Sequence, residues 1–152
     1  MSAFDPNNFL NDQVEGAMST SQAPIPEGEY LAVIDSGDKG VAVRQTAKGQ
    51  TILDILWEIQ DGNLAEALGR QTVTVRQSIF LDVTPSGTLD RSKGRNVALG
   101  KLRAALNQND PTRPWSLGNL KGSGPAKIRV TQRPNQDDPD VIYNDVKGVT
   151  AA

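Results

Sequence analysis

Apolar and polar positions alternate with period two over most of the chain, and one stretch breaks into helical spacing. From Glu27 onward, GEYLAVIDS is rich in strand-forming residues and closes in the glycine turn SGDKG; VAVRQ then alternates apolar and polar. In ILDILWEIQDG, Leu53, Ile55, Trp57 and Ile59 share one face of a third strand, so Trp57 reads as core, and Asp61-Gly62 supplies a turn. A short NLAEAL segment leads to RQTVTVRQSIFLDVTPSG. There Val73, Val75, Ile79, Leu81 and Val83 point one way, and Thr72, Thr74, Arg76, Ser78 and Phe80 point the other. Phe80, two steps along that polar face from Arg76, needs a cover. A neighbouring loop or helix would serve, and so would a nucleobase.

Helical spacing takes over in GRNVALGKLRAALNQN. Ala98, Leu99, Leu102, Ala105 and Leu106 form an apolar stripe, which residues 107–114 end. Strand texture returns in AKIRVTQR, where Lys127, Arg129 and Arg133 form a basic row opposite Ile128 and Val130. The turn PNQDDPD then leads into VIYNDVKGV, the return strand of a hairpin. The order is β-β-β-β-α-β-β, without repeats or βαβ alternation. This pattern predicts a mainly β fold: a small antiparallel Greek-key barrel of the oligonucleotide-binding (OB) type with one inserted α-helix. Residues 27–149 form that domain and residues 150–152 a short tail. Residues 1–26, rich in Asn, Ser, Gln and Pro, form a flexible arm, in which FDPNNFLNDQV offers a short helix docking through Phe4, Phe9, Leu10 and Val14.

Composition narrows the chemistry. The 152 residues suit one domain, and seven aromatics (three Phe, two Trp, two Tyr) make its core modest and aliphatic. Cysteine and histidine are both absent, which removes disulfides, the usual zinc and haem ligands, and every Cys- or His-based nucleophile or base. The expectation is a protein that is not an enzyme and needs no cofactor and no metal. MSAFDPNNFL lacks the pattern of a signal peptide, and no run approaches the roughly 18 apolar residues of a membrane span, so a soluble protein is expected.

The net charge of −2 hides an uneven distribution. Residues 1–64 carry ten acids against three bases, residues 65–133 four acids against twelve bases, and residues 134–152 four acids against one base. RSKGRNVALGKLR alone holds Arg91, Lys93, Arg95, Lys101 and Arg103 with no acid. A solvated helix face normally mixes signs, so this segment favours a polyanion, and its loop part is the better candidate. The alternative is that acidic and basic segments neutralise each other in the fold. GSGPAK lacks the Lys-Ser/Thr ending of a phosphate loop and precedes a strand. Asp137, Asp138 and Asp140 in DDPD read as a polar turn more readily than as a cation site. Trp115, in a Pro-bounded loop, and Tyr143 are open to either a packing or a binding reading. What remains is cations to track phosphates and aromatic faces to stack bases, the equipment for single-stranded nucleic acid. Arg76, Phe80, Arg91, Lys93, Arg95, Lys127, Arg129 and Arg133 are the candidate binding residues.

Three features together resemble a family of small bacteriophage single-stranded DNA-binding proteins from replication and recombination modules. They are PIPEGEYLAVI after the FDPNNFL arm, LDILWEIQDG followed by LGRQTV with a helix at NVALGKLRAAL, and the closing KIRVTQR…VIYNDVKGV. The resemblance spans about residues 24–149. It implies an OB-like barrel and protection of single-stranded DNA in the host cytoplasm, with homo-oligomers and phage replication proteins as further partners. NDVKGVTAA is not the long acidic tail typical of such proteins, so recruitment through a tail is not expected. The rival reading is a β-rich virion structural protein, a head decoration or adaptor subunit, whose polar arm reaches a neighbour.

Overall fold

A computed structural model describes residues 4–18 and 22–152. It is mainly β, with six antiparallel strands in one open sheet. The strands are β1 (Gly28–Ile34), β2 (Val41–Gln45), β3 (Thr51–Ile59), β4 (Thr74–Leu81), β5 (Ala126–Pro134) and β6 (Ile142–Ala151). Helices α1 (Pro6–Leu10), α2 (Gly62–Leu68) and α3 (Val97–Ala105) are short, and a 3-10 helix occupies Leu117–Leu120. No helix among the described residues is long and apolar enough to cross a membrane.

β3 organises the sheet because three strands pair with it. β4 runs along one side, from Thr51↔Leu81 to Glu58↔Thr74. The other side is shared, β2 pairing with its first half (Val41↔Ile55) and β1 with its second (Ile34↔Trp57). The chain must therefore kink between β1 and β2. Gly40 permits this: a Cβ there would lie 1.7 Å from the Asp35 carbonyl oxygen, so no other residue fits without moving the backbone. The kink keeps its ladder, since Asp35 N–H donates to the Leu56 carbonyl (3.0 Å) and Leu56 N–H to that of Gly40 (2.9 Å). β1 also pairs with β5, and β5 with β6, giving the lateral order β4-β3-β1-β5-β6. The sheet curls until β4 and β6 approach each other without ladder pairing, and α3 packs against both.

Period-two alternation explains the core. Leu53, Ile55, Trp57 and Ile59 of β3, Val75, Ile79 and Leu81 of β4, and Ile128 and Val130 of β5 are all buried, closed off by Leu99 and Leu102 of α3. Gln77 shares the inward parity of β4. It belongs there because its Oε1 accepts from the Trp57 indole Nε1–H at 2.9 Å, satisfying the donor that the buried indole brings into the core.

Several expectations change. Asp61-Gly62 opens a helix rather than a plain turn: the Asp61 carboxylate accepts from Leu64 N–H, and Gly69 ends α2 in the left-handed conformation at φ 65°. Val83 and Ala98 are exposed, because the strand ends at Leu81 and α3 turns only Leu99 and Leu102 fully inward. The anticipated helix of the N-terminal arm exists as α1, but Phe4, Phe9, Leu10 and Val14 remain exposed, the rings of Phe4 and Phe9 lying against each other with centroids 5.5 Å apart. The arm's other end is anchored. Ile25 is 1% exposed, its N–H donating to Asn144 Oδ1 and its carbonyl accepting from Asn144 and Gln132. The domain therefore begins before Glu27. It also extends past Val149, since Thr150 and Ala151 belong to β6 and pair with Lys127 and Ala126.

Candidate nucleic-acid interface

Burial of the apolar set of β3 and β4 turns the alternate residues outward. The outer face aligns three cross-strand rows: Arg44, Ile52 and Phe80; Ala42, Asp54 and Ser78; and Leu56 with Arg76. Phe80 is 63% exposed, so neither a loop nor a helix covers it. Ile52, on this same outer face, is only 5% exposed, and its cross-strand neighbours there are Arg44 and Phe80. Arg44 is held by Asp54 at 2.7 Å, and Ser78 donates to the same carboxylate at 2.6 Å. Partial burial pushes the Asp54 carboxyl upward. The bonds from Ser78 and Arg44 and the charges of Arg44 and Arg76 outweigh it and hold the group below the usual carboxylate range. Arg76 makes no ion pair among the described residues.

The outward line of β4 continues to Asp82, where the cationic loop is fastened. Asp90 N–H donates to the Asp82 carbonyl (2.9 Å), and Asn96 supplies the rest of the fastening. Its backbone N–H donates to Asp82 Oδ2, its side-chain oxygen accepts from Asp82 N–H, and its amide donates to the carbonyls of Asp82 (2.8 Å) and Asp90 (2.9 Å). Its φ of 52° is left-handed, a conformation that asparagine tolerates better than most residues. Between Asp82 and Asn96 the chain projects Arg91, Lys93 and Arg95, all exposed, with Arg95 Nη1 4.0 Å from Asp82 Oδ1. Phe80 and the cationic loop are thus neighbours along one strand end.

Beyond this loop lies a groove of about 870 Å³ between α3 and the 109–115 segment. Arg91, Arg95, Arg103 and Arg113 line it with Trp115. Arg103, which the helical pattern put off the apolar stripe, lies 4.2 Å over the Trp115 ring, and its Nε and Nη2 donate to the Gln108 carbonyl. The Trp115 indole donates to Gln108 Oε1 at 2.9 Å, so this tryptophan is half packing and half lining. Lys101 remains exposed on the helix.

The basic row on β5 has the parity its sequence implies, with Lys127, Arg129 and Arg133 outward. It does not join the other candidates, because β3 and β1 separate β5 from β4 in the sheet order. Two of its members also have acidic partners. Lys127 lies 3.9 Å from Glu29, and Arg133 bonds Asp145 at 3.0 Å while lying over the Tyr143 ring at 5.1 Å. The Tyr143 hydroxyl accepts from Asn135, which assigns this aromatic to the hairpin end. Asp137, Asp138 and Asp140 lie in an exposed turn in which Asn135 Oδ1 and Asp138 Oδ1 accept backbone N–H groups. Among the described residues no group of three or more acidic side chains could hold a metal ion.

Arg76 and Phe80 therefore share the outer face of β4, Arg91, Lys93 and Arg95 lie in the loop beyond its end, and Lys127, Arg129 and Arg133 lie apart on β5. The structure adds Arg44, Arg103, Arg113 and Trp115. Arg44 was recoverable from the sequence, since VAVRQ-TAKG-QTILD is a hairpin whose register sets Arg44 beside Ile52. No periodic signal marks Arg113 or Trp115, which lie in irregular chain. Neither a family model nor a curated protein matches the chain.

Proposed function

We propose that the protein binds single-stranded DNA without reading its sequence, as a non-enzymatic protecting factor in phage replication and recombination within the host cytoplasm. The supporting observation is Phe80: a large aromatic left 63% exposed on a regular strand, with Arg44 on its own cross-strand row, Arg76 on the same face and Arg95 beyond Asp82. An exposed aromatic flanked by cations suits bases that stack while arginines neutralise their phosphates. The choice of DNA rests on the resemblance of residues 24–149 to the phage family.

Fluorescence anisotropy with labelled oligo-dT across a salt series tests the reading. Binding should weaken steeply with salt. Replacing Arg91, Lys93 and Arg95 with Ala should flatten the logarithmic slope by about 0.7 for each phosphate left without its cation. An unchanged affinity and slope in that triple variant would mean that the loop only balances the acidic segments.

A second reading, a virion structural subunit, draws on the exposed Phe4, Phe9, Leu10 and Val14, an apolar set suited to a neighbouring subunit. It expects no oligonucleotide binding and co-purification with particles instead.

A further inference from the structure

We propose that the groove between α3 and the 109–115 segment is a second subsite for the same strand, taking the phosphodiester backbone of the nucleotides that follow the base on Phe80. This rests on the single-strand reading and extends it from a stacking face to a path. Continuity is the first argument. The groove shares Arg95 with the end of β4, because Arg95 both lines it and lies against Asp82, two residues beyond Phe80.

Charge is the second. Four arginines line the groove against two acids, and both acids are engaged in their own turns. Asp90 accepts from the hydroxyl and N–H of Ser92, and Asp110 from those of Thr112, with Arg113 at 3.5 Å from Asp110. Preorganisation is the third. Arg103 is fixed on Trp115 and to the Gln108 carbonyl through Nε and Nη2, which leaves Nη1 uncommitted among the described residues. A guanidinium held in place before the ligand arrives loses little freedom on donating to a phosphate oxygen. Among polyanions, a strand is favoured over an acidic peptide because the stacking face and the groove are joined end to end.

The test uses a variant that leaves packing alone. Arg113→Gln changes one loop side chain, 83% exposed and outside the stacking face and the cationic loop, and leaves Arg103 and Trp115 in place. Anisotropy is measured with oligo-dT of about 4 and about 16 nucleotides, the range one such fold covers. The short strand should bind the variant as it binds the native chain. The long strand should bind more weakly, with a salt slope flatter by about 0.7, the contribution of one phosphate. A variant that binds both lengths like the native chain overturns the groove subsite while the stacking face stands. Equal weakening at both lengths overturns it as well, since the groove would then be the primary binding surface. Failure of the native chain to bind either length sinks both proposals. A fluorescent poly-Glu peptide captured by the native chain and released by the variant, with long-strand affinity unchanged, assigns the groove to an acidic protein instead.

Discussion

Replacing Phe80 with alanine separates stacking from packing on a single side chain. Phe80 is 63% exposed, so little more than a third of its surface is out of water. For a ring side chain of about 200 Å², at about 25 cal/mol per Å², that third contributes about 2 kcal/mol to folding. Part of this is the cover it gives Ile52, which lies beside it in register and is 5% exposed. A fully buried phenylalanine would cost about 3–5 kcal/mol on truncation. A base stacked on the ring contributes about 1–3 kcal/mol, so Phe80→Ala should weaken oligo-dT binding by about 5- to 150-fold at 1.4 kcal/mol per tenfold. Phe80→Trp should keep or strengthen binding, since a larger ring still presents a face. A denaturation curve and an anisotropy titration on each variant give both quantities. Unchanged affinity in a folded Phe80→Ala protein refutes stacking. A stability loss in the 3–5 kcal/mol range refutes the exposed placement from which the argument starts.

Three further outcomes follow from the packing. Gln77→Leu should cost about 1–3 kcal/mol in chemical denaturation, because the Trp57 indole N–H loses its partner inside the core; a neutral result means another acceptor reaches that nitrogen. Deleting residues 1–23 should change the melting temperature little, whereas Ile25→Ala should cost about 2–5 kcal/mol; a large effect of the deletion would show that the arm bridges subunits or completes the fold. Asp54, with its folded pKa lowered, contributes stability that is complete above the usual carboxylate value of about 3.9 and is lost as pH falls through the lower folded value. Asp54→Asn should therefore flatten the acid limb of stability against pH, and melts from about pH 6 to about pH 2 show whether it does.

The regular elements were legible because each repeats a simple rule. The four apolar residues of β3, the inward set of β4 and the buried Leu99 and Leu102 of α3 follow directly from period 2 and period 3.6. Side chains whose role depends on a distant partner were not legible. Gln77 looks polar until Trp57 lies beside it, and Ile25 looks like linker until Asn144 and Gln132 hold its backbone. The site was half legible for the same reason. Arg76 and Phe80 share a parity that the sequence displays, whereas the acidic partners of Lys127 and Arg133 come from β1 and β6, and local spacing cannot show that pairing.

The fastening at Asn96 has a thermodynamic consequence. A cationic loop left free would have to give up its backbone freedom on meeting a ligand, at about 1–2 kcal/mol per residue ordered. With Asn96 bonded to Asp82 and Asp90, beside the Asp90 N–H bond to the Asp82 carbonyl, part of that backbone entropy is surrendered when the chain folds. Asn96→Gly would retain the left-handed backbone and lose the side-chain ties, so it isolates this effect from strain. Its signature would be calorimetric: binding entropy turns more unfavourable while the number of phosphates neutralised, and with it the salt slope, stays the same.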